Sequence, residues 1–257
     1  MEMTLNELNY KGYLGKLLEY HAVPNGMLLY ILAFLLVGVI GYLLGSLNFG
    51  VIISKYKYGD DVRTHGSGNG GTTNMMRVYG KKAALFTFVG DLMKAVISVL
   101  IGRLLCGVYG AYLAGLLCMV GHAYPCFFGF RGGKGVAVAA AVILCTNPIV
   151  FLILLLLFVV IVGMTKYISL GSILCMLMYP VILSNVQAVM HVGDSNGRNL
   201  SVIFAVLMTC LVVWLHRSNI KRLHDHTENK FSFHRDQAKK NPNGNAAVKD
   251  AERKEKK

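Results

Sequence analysis

Acidic residues are few in this chain of 257 residues: 13 Asp and Glu stand against 26 Lys and Arg, for a net charge of +13. Between positions 27 and 223 the only acids are Asp60, Asp61, Asp91 and Asp194. The His, Cys and carboxylate spacing of a metal site is absent, so no metal or other cofactor is expected. The cysteines, at 106, 118, 126, 145, 175 and 210, form no C-x-x-C and fall inside or at the ends of apolar runs. They read as small apolar fillers, without a disulfide framework. No G-x-S-x-G elbow is present: two places before Ser67 stands His65. No histidine is followed five residues later by Asp, the pair that one large group of acyl-transfer enzymes uses. A Walker A loop is also missing, because Phe128 holds the place of its first glycine and Lys134 is followed by Gly135. The N-terminal stretch lacks an immediate apolar core and a small-residue cleavage site, unlike a signal peptide.

Apolar residues make up 54% of the chain and the mean hydropathy is +0.51, too apolar for an ordinary soluble domain. A membrane-crossing helix needs about 20 mainly apolar residues, and helices satisfy their own backbone where there is no water. The expectation is an all-α, polytopic integral membrane protein. Seven apolar segments lie near 27–48, 83–105, 108–128, 135–147, 148–164, 167–189 and 199–215. The Asn147–Pro148 step separates the fourth from the fifth by a tight turn. Seven crossings place the termini on opposite sides. Twelve of the 26 Lys and Arg lie from Arg217 onward, and Lys55, Lys57, Arg63, Arg77, Lys81, Lys82, Arg131, Lys134 and Lys166 fall on that same side. The other side receives Lys11, Lys16, Arg103 and Arg198. The positive-inside rule then puts the N-terminus outside and the C-terminus in the cytoplasm. Three regions follow: an extension at 1–26, an interfacial helix carrying Leu5, Leu8, Leu14, Leu17 and Leu18; a membrane domain at 27–231; and a disordered basic tail at 232–257.

This topology gathers every chemically interesting stretch on the cytoplasmic face. "RTHGSGNGGTTNMMR", 63–77, offers glycine-rich backbone able to curl into anion-binding nests. Ser67, Asn69, Thr72, Thr73 and Asn74 add neutral donors, and Arg77 a planar fork suited to phosphate. "GFRGGKGVAV", 129–138, is a glycine-rich turn opening a helix; the N–H groups of Gly132 and Gly133 and the Lys134 ammonium would hold an anion. The alternative for both is a flexible or merely basic loop. Asp91 and Lys94, three apart inside the second span, read as a structural pair, and His122 as a residue acting behind the site. His216 and Asn219 share a helix face, whereas Lys221 and Arg222 read as cations at the lipid surface.

Taken together, "GSLNFG", "DVRTHGSGNGGTTNMMRVYGKKAA", "DLMKA", "GHAYPCFFGFRGGKGVAV", "KYISLGSI" and "HRSNIKRLHDHTENKF" resemble the bacterial acyl-phosphate:glycerol-3-phosphate acyltransferase family over about 200 residues. The resemblance implies a seven-helix enzyme of the bacterial cell membrane that moves a fatty acyl group from acyl phosphate to the sn-1 hydroxyl of glycerol 3-phosphate. Lysophosphatidic acid and inorganic phosphate would form in phospholipid biosynthesis, without acyl-CoA, acyl carrier protein, metal or nucleic acid. It places Ser67, Arg77, Lys134, His216 and Asn219 at the catalytic centre. Asn69, Thr72, Asn74, Gly132, Gly133, Ser169 and Ser172 would contact substrate. The chain departs from the family pattern at Asn48, usually proline; at Gly70, commonly β-branched; at Thr72, commonly alanine; and at Ala95, usually glycine. Either His216 or a substrate phosphate would take the proton of the attacking hydroxyl. A transporter for a phosphorylated metabolite is the rival class, but the spans show no inverted repeat and the polar motifs avoid the midplane. A non-catalytic membrane scaffold would leave the phosphate-type loops unexplained.

Overall fold

The computed structural model describes residues 11–17, 26–190 and 195–231, and among these every regular element is helical. In chain order they are α1 (Gly26–Ser46), α2 (Phe49–Tyr58), a 3₁₀ turn (Val62–Thr64), α3 (Thr72–Tyr79), α4 (Lys81–Ala123) and a second 3₁₀ turn (Cys126–Phe128). Then follow α5 (Val136–Thr146), α6 (Pro148–Thr165), α7 (Ile168–Val189), α8 (Ser195–Leu215) and α9 (Arg217–His224). Residues 11–17 form a short helical segment. Leu14 and Leu17 of the expected interfacial helix lie on it; Leu5, Leu8, Leu18 and the tail at 232–257 lie outside the described residues.

The 43 residues of α4 are two antiparallel limbs. The backbone leaves helical geometry at Cys106 and Gly107, and Gly107 takes φ 67°, which a residue with a Cβ rarely adopts. Beyond that reversal Ser98 Oγ donates to the Ala114 carbonyl at 3.1 Å, and a Cβ on Gly102 would stand 2.2 Å from the Gly110 carbonyl oxygen. The second limb packs on α1 through small residues. A Cβ on Gly41, Gly45 or Gly121 would strike backbone of the opposing helix within about 3 Å. Close backbone approach of this kind lets apolar helices associate where water gives no drive.

The expected segments all appear as helices, yet length and composition alone give four stretches able to cross a membrane, or five if the bent pair α8–α9 counts as one. One of the four is the whole folded stretch Lys81–Phe128, and α5, with 11 residues, is too short to qualify. It rises only about 16 Å, against a hydrocarbon thickness of about 30 Å. The Asn147–Pro148 junction forms as expected: Pro148 opens α6, where its missing N–H costs nothing.

Two loops differ from surrounding helix in a way that matters for the site. The stretch from Asp61 to Gly71 is held by Asn74, 1% exposed, whose Nδ2 lies 2.9, 3.0 and 2.9 Å from the carbonyls of Val62, His65 and Asn69. The Ser67 N–H donates to Asn74 Oδ1 at 2.8 Å. Two departures from the family pattern meet here. Asn48 accepts from the Val51 N–H at 3.0 Å to cap α2, and a Cβ on Gly70 would stand 2.9 Å from Asn48 Oδ1. A β-branched residue at 70 would collide with the side chain that this chain places at 48.

Candidate active site

A cavity of about 1090 Å³ opens where α3, α5, α7 and α9 converge. Its polar end is lined by Ser67, Asn69, Thr72, Asn74, Arg77, Lys134, Ser169, Ser172, His216, Asn219 and Glu228. Beyond that end it continues between α5, α6 and α7, where Ala139, Ile143, Phe151, Leu154, Phe158 and Met176 make the walls apolar. Residues that are far apart in sequence therefore share one site with a wet, cationic end and a greasy limb.

Two helix N-termini face the polar end. α3 starts at Thr72 and α5 at Val136, and each is preceded by a glycine that gives no side-chain cap, leaving first-turn N–H groups for a ligand. The positive ends of both helix dipoles favour an anion there. Thr72 Oγ1 is buried without a partner, and the Arg77 guanidinium has no hydrogen-bonded partner among the described residues. Burial, joined by the nearby Arg222 cation, holds the Arg77 pKa below its ordinary value. Burial likewise brings Lys134 down to about 8, with Arg222 and Arg77 adding to the fall. An anion entering this end would relieve both Arg77 and Lys134.

His216 sits at the bend between α8 and α9, 2% exposed. Its Nδ1 lies 2.8 Å from the Val212 carbonyl oxygen, so the proton is on Nδ1 and Nε2 keeps a lone pair. Burial lowers its pKa to about 4. It is a neutral acceptor at physiological pH, well placed to receive a hydroxyl. Lys134 Nζ donates to Asn219 Oδ1, and Asn219 Nδ2 donates to Glu228 Oε1 at 2.7 Å.

Glu228 lines the cavity and is the residue of this site that reading the chain missed. It receives Ser169 Oγ at 2.9 Å and Arg222 Nε at 2.7 Å besides Asn219. Burial pushes its pKa up, but these three donors outweigh that and hold it below the usual carboxylate range. Arg222, expected at the lipid surface, is turned instead onto this carboxylate. The signal was present as a lone Glu after the basic helix α9. Only the return of the chain, with the Phe231 N–H donating to the Lys166 carbonyl at 2.6 Å, brings it to α7.

Some expected contacts come out differently. The N–H groups of Gly132 and Gly133 donate to the Ala123 and His122 carbonyls at 3.0 and 3.1 Å, so they are not free for a phosphate, and neither glycine lines the cavity. Their role is close packing: a Cβ on Gly133 would stand 2.2 Å from His122 Nε2. The N–H groups left without a side-chain cap on this wall are instead those at the start of α5. Asn74 borders the cavity but spends both polar ends of its side chain on the loop. The Ser172 hydroxyl donates back to the Ile168 carbonyl at 2.8 Å, and Ser169 to Glu228. Ser67, Arg77, Lys134, His216 and Asn219 are brought together as expected.

A helical protein with lipid-length apolar helices, whose cavity joins a phosphate-type cationic end to an apolar limb, has the build of a membrane protein that handles phosphorylated, partly apolar molecules. Comparison narrows the class. The profile of the glycerol-3-phosphate acyltransferase family matches residues 35–226. The glycerol-3-phosphate acyltransferase of Clostridioides difficile is 38% identical over 206 residues, covering 78% of this chain and 96% of that protein. That of Syntrophomonas wolfei is 40% identical over 195 residues, covering 76% and 95%. Among solved structures, PlsY, an integral membrane glycerol 3-phosphate acyltransferase, is similar in its glycerol 3-phosphate form, with TM-score 0.69, 35% identity and 77% and 96% of the two chains covered. Its lysophosphatidic acid form matches at TM-score 0.68 and 34% identity, with 78% and 96% covered. The chain belongs to the glycerol-3-phosphate acyltransferase family.

Proposed function

We propose that this protein transfers a fatty acyl group from acyl phosphate to the sn-1 hydroxyl of glycerol 3-phosphate, forming lysophosphatidic acid and inorganic phosphate. The observation that carries the reading is the cavity itself: one end suits two phosphates, the other an acyl chain. The relatives' names and the two ligand forms of PlsY support the acceptor and the product. The donor is argued from chemistry. Acyl phosphate is a mixed anhydride with a good leaving group, so the site needs little beyond alignment and charge neutralisation, which is what a cation-rich, carboxylate-poor pocket offers.

In this mechanism Lys134, Arg77 and the first turns of α3 and α5 hold the two phosphates against their repulsion. Alignment of this kind supplies roughly 7–11 kcal/mol in favourable cases. Ser67, Asn69 and Thr72 line the same wall and contact the substrates. His216 Nε2 accepts from the sn-1 hydroxyl and orients it. The hydroxyl oxygen attacks the acyl carbonyl carbon, and the carbon–oxygen bond to phosphate breaks. With a pKa of about 4, His216 is a poor proton acceptor, so the proton passes to the departing phosphate, which leaves as hydrogen phosphate. Glu228 and Asn219 hold Lys134 and α7 in place.

The fold would sit in the cell membrane as seven passes, α1, the two limbs of α4, α5, α6, α7 and α8, of which the eleven-residue α5 completes its pass only with the non-helical residues 131–135 before it. The termini lie outside and inside, and the polar end of the cavity faces the cytoplasm. The distribution of Lys and Arg supports this orientation.

The test uses purified protein in lipid with palmitoyl phosphate and glycerol 3-phosphate, following phosphate release and the acylated product. Parallel reactions contain palmitoyl-CoA or palmitoyl-acyl carrier protein. Turnover with acyl phosphate alone is the expected result. Turnover with either thioester would remove the donor assignment, and failure to acylate glycerol 3-phosphate at all would remove the reaction.

A further inference from the structure

Asp91, Lys94 and His122 form a cluster beneath the site that the mechanism above does not use. All three are buried, at 1%, 3% and 3% exposure, yet Asp91 and His122 border the cavity. Lys94 Nζ lies 2.8 Å from Asp91 Oδ1 and 3.0 Å from His122 Nδ1. It also donates to the carbonyls of Gly45 and Leu47 at 2.9 and 2.8 Å, at the end of α1, where carbonyls lack helical partners.

From this cluster two arms reach the two glycine-rich loops. One runs through His122: its carbonyl accepts from the Gly133 N–H at 3.1 Å, and its ring fills the space a Cβ at 133 would need. The other runs through Leu47 to Asn48, whose side chain packs on Gly70. The arms close on each other where the Gly70 N–H donates to the Gly132 carbonyl at 3.2 Å. The ring therefore joins the wall carrying Ser67 and Thr72 to the wall carrying Lys134.

We propose that the Asp91–Lys94–His122 cluster is a positioning device that sets the spacing between the two phosphate-binding walls. It acts through Gly133 and Gly70 and touches no substrate. Burying charge in a membrane domain is costly, and a pair serving stability alone gains little over apolar packing. Keeping two loops at a fixed separation is a use that apolar side chains, free to slide, would not serve. The proposal rests on the phosphate-binding reading of the cavity.

The experiment compares the full chain in lipid nanodiscs with His122→Ala, His122→Asn, the double variant Asp91→Asn with Lys94→Met, and Ser98→Ala. Ser98 also joins the two limbs of α4, but far from the loops. Four quantities are read: Tm, KM and kcat for both substrates, and Kd for inorganic phosphate by calorimetry. The His122→Ala and double variants should raise the glycerol 3-phosphate KM and the phosphate Kd at least tenfold, with kcat per folded molecule within about threefold. His122→Asn, which keeps a partner for Lys94 but empties the space under Gly133, should fall between, and remains measurable if the alanine variant does not fold. Ser98→Ala should move Tm only. If KM and Kd stay within twofold of wild type in the folded variants, the cluster is purely structural and the proposal fails. Should the wild type bind phosphate but transfer no acyl group, the Kd comparison still decides the point, while the reaction assigned above falls separately.

Discussion

The two glycine-rich loops look alike as sequence and are built in opposite ways. In the first, 63–71, Gly66 and Gly68 take φ 58° and 73°, and the loop curls around Asn74, leaving the Ser67 hydroxyl and the start of α3 toward the cavity. In the second, Gly132 and Gly133 are there for thinness: their amides tie back to the end of α4, and they lie flat on His122 so that Lys134 and the start of α5 reach the cavity. Gly66 and Gly68 supply turning freedom, whereas Gly132 and Gly133 supply close approach. The same substitution should therefore do different things in each.

The largest effect should come from what the second loop presents. Lys134→Ala removes the partner of Asn219 and the ammonium that the proposed mechanism sets against the substrate phosphates; kcat/KM measured by phosphate release should fall at least ~100-fold, about 3 kcal/mol of transition-state stabilisation. Next comes the packing of that loop. Gly133→Ala puts a methyl 2.2 Å from His122 Nε2, so the loop must lift. Overpacking costs about 1–3 kcal/mol, and the glycerol 3-phosphate KM should rise about tenfold as Lys134 is displaced. An unchanged KM would mean the ring gives way and the loop does not.

Acid–base behaviour sharpens the contrast between Lys134 and His216. The Lys134 pKa is lowered to about 8 and that of His216 to about 4. Between those values Lys134 is charged and His216 neutral, so neither side chain should shape the kcat profile, and a single step near pH ~6 would report the second ionisation of a substrate phosphate. Above about 8, Lys134 loses its proton and KM for the anionic substrates should climb. His216→Gln keeps an acceptor for the hydroxyl and should cost about tenfold or less, below the 10²–10⁴ expected of a true general base. A bell-shaped kcat profile lost in this variant would return the proton to His216. The smallest effect belongs to the first loop. Gly68→Ala has room, its nearest neighbour being the Arg63 carbonyl at 3.6 Å, but φ is 73°. It should cost about 1–2 kcal/mol of stability, seen as a lower Tm, and change kcat/KM less than threefold.

Much of this was legible in the chain. The apolar runs, the Asn147–Pro148 break and the two polar loops with Arg77 and Lys134 follow from composition and from local backbone chemistry, which are properties of neighbours in sequence. The small-residue face of α1, Gly38, Gly41 and Gly45, went unread in the chain, and the structure shows it as a surface of close helix packing. Glu228 was not legible: a lone Glu after the basic helix α9 is a weak signal, and only the return of the chain to Lys166 separates it from a tail carboxylate. Nor was the use of the Gly132 and Gly133 amides, since a free and a committed N–H have the same sequence.

The sequence by itself determined that this protein is helical, apolar enough for a membrane, and supplied with phosphate-type groups in two loops, because periodicity, hydropathy and glycine content act over a few residues. Tertiary structure alone decided which of those groups face the cavity. The folding back of α4, the return of the chain past α9 and the buried contacts of Lys94 bring together residues dozens of positions apart. A hydrogen bond can be assigned to a donor only when the packing has shown which acceptor lies within reach.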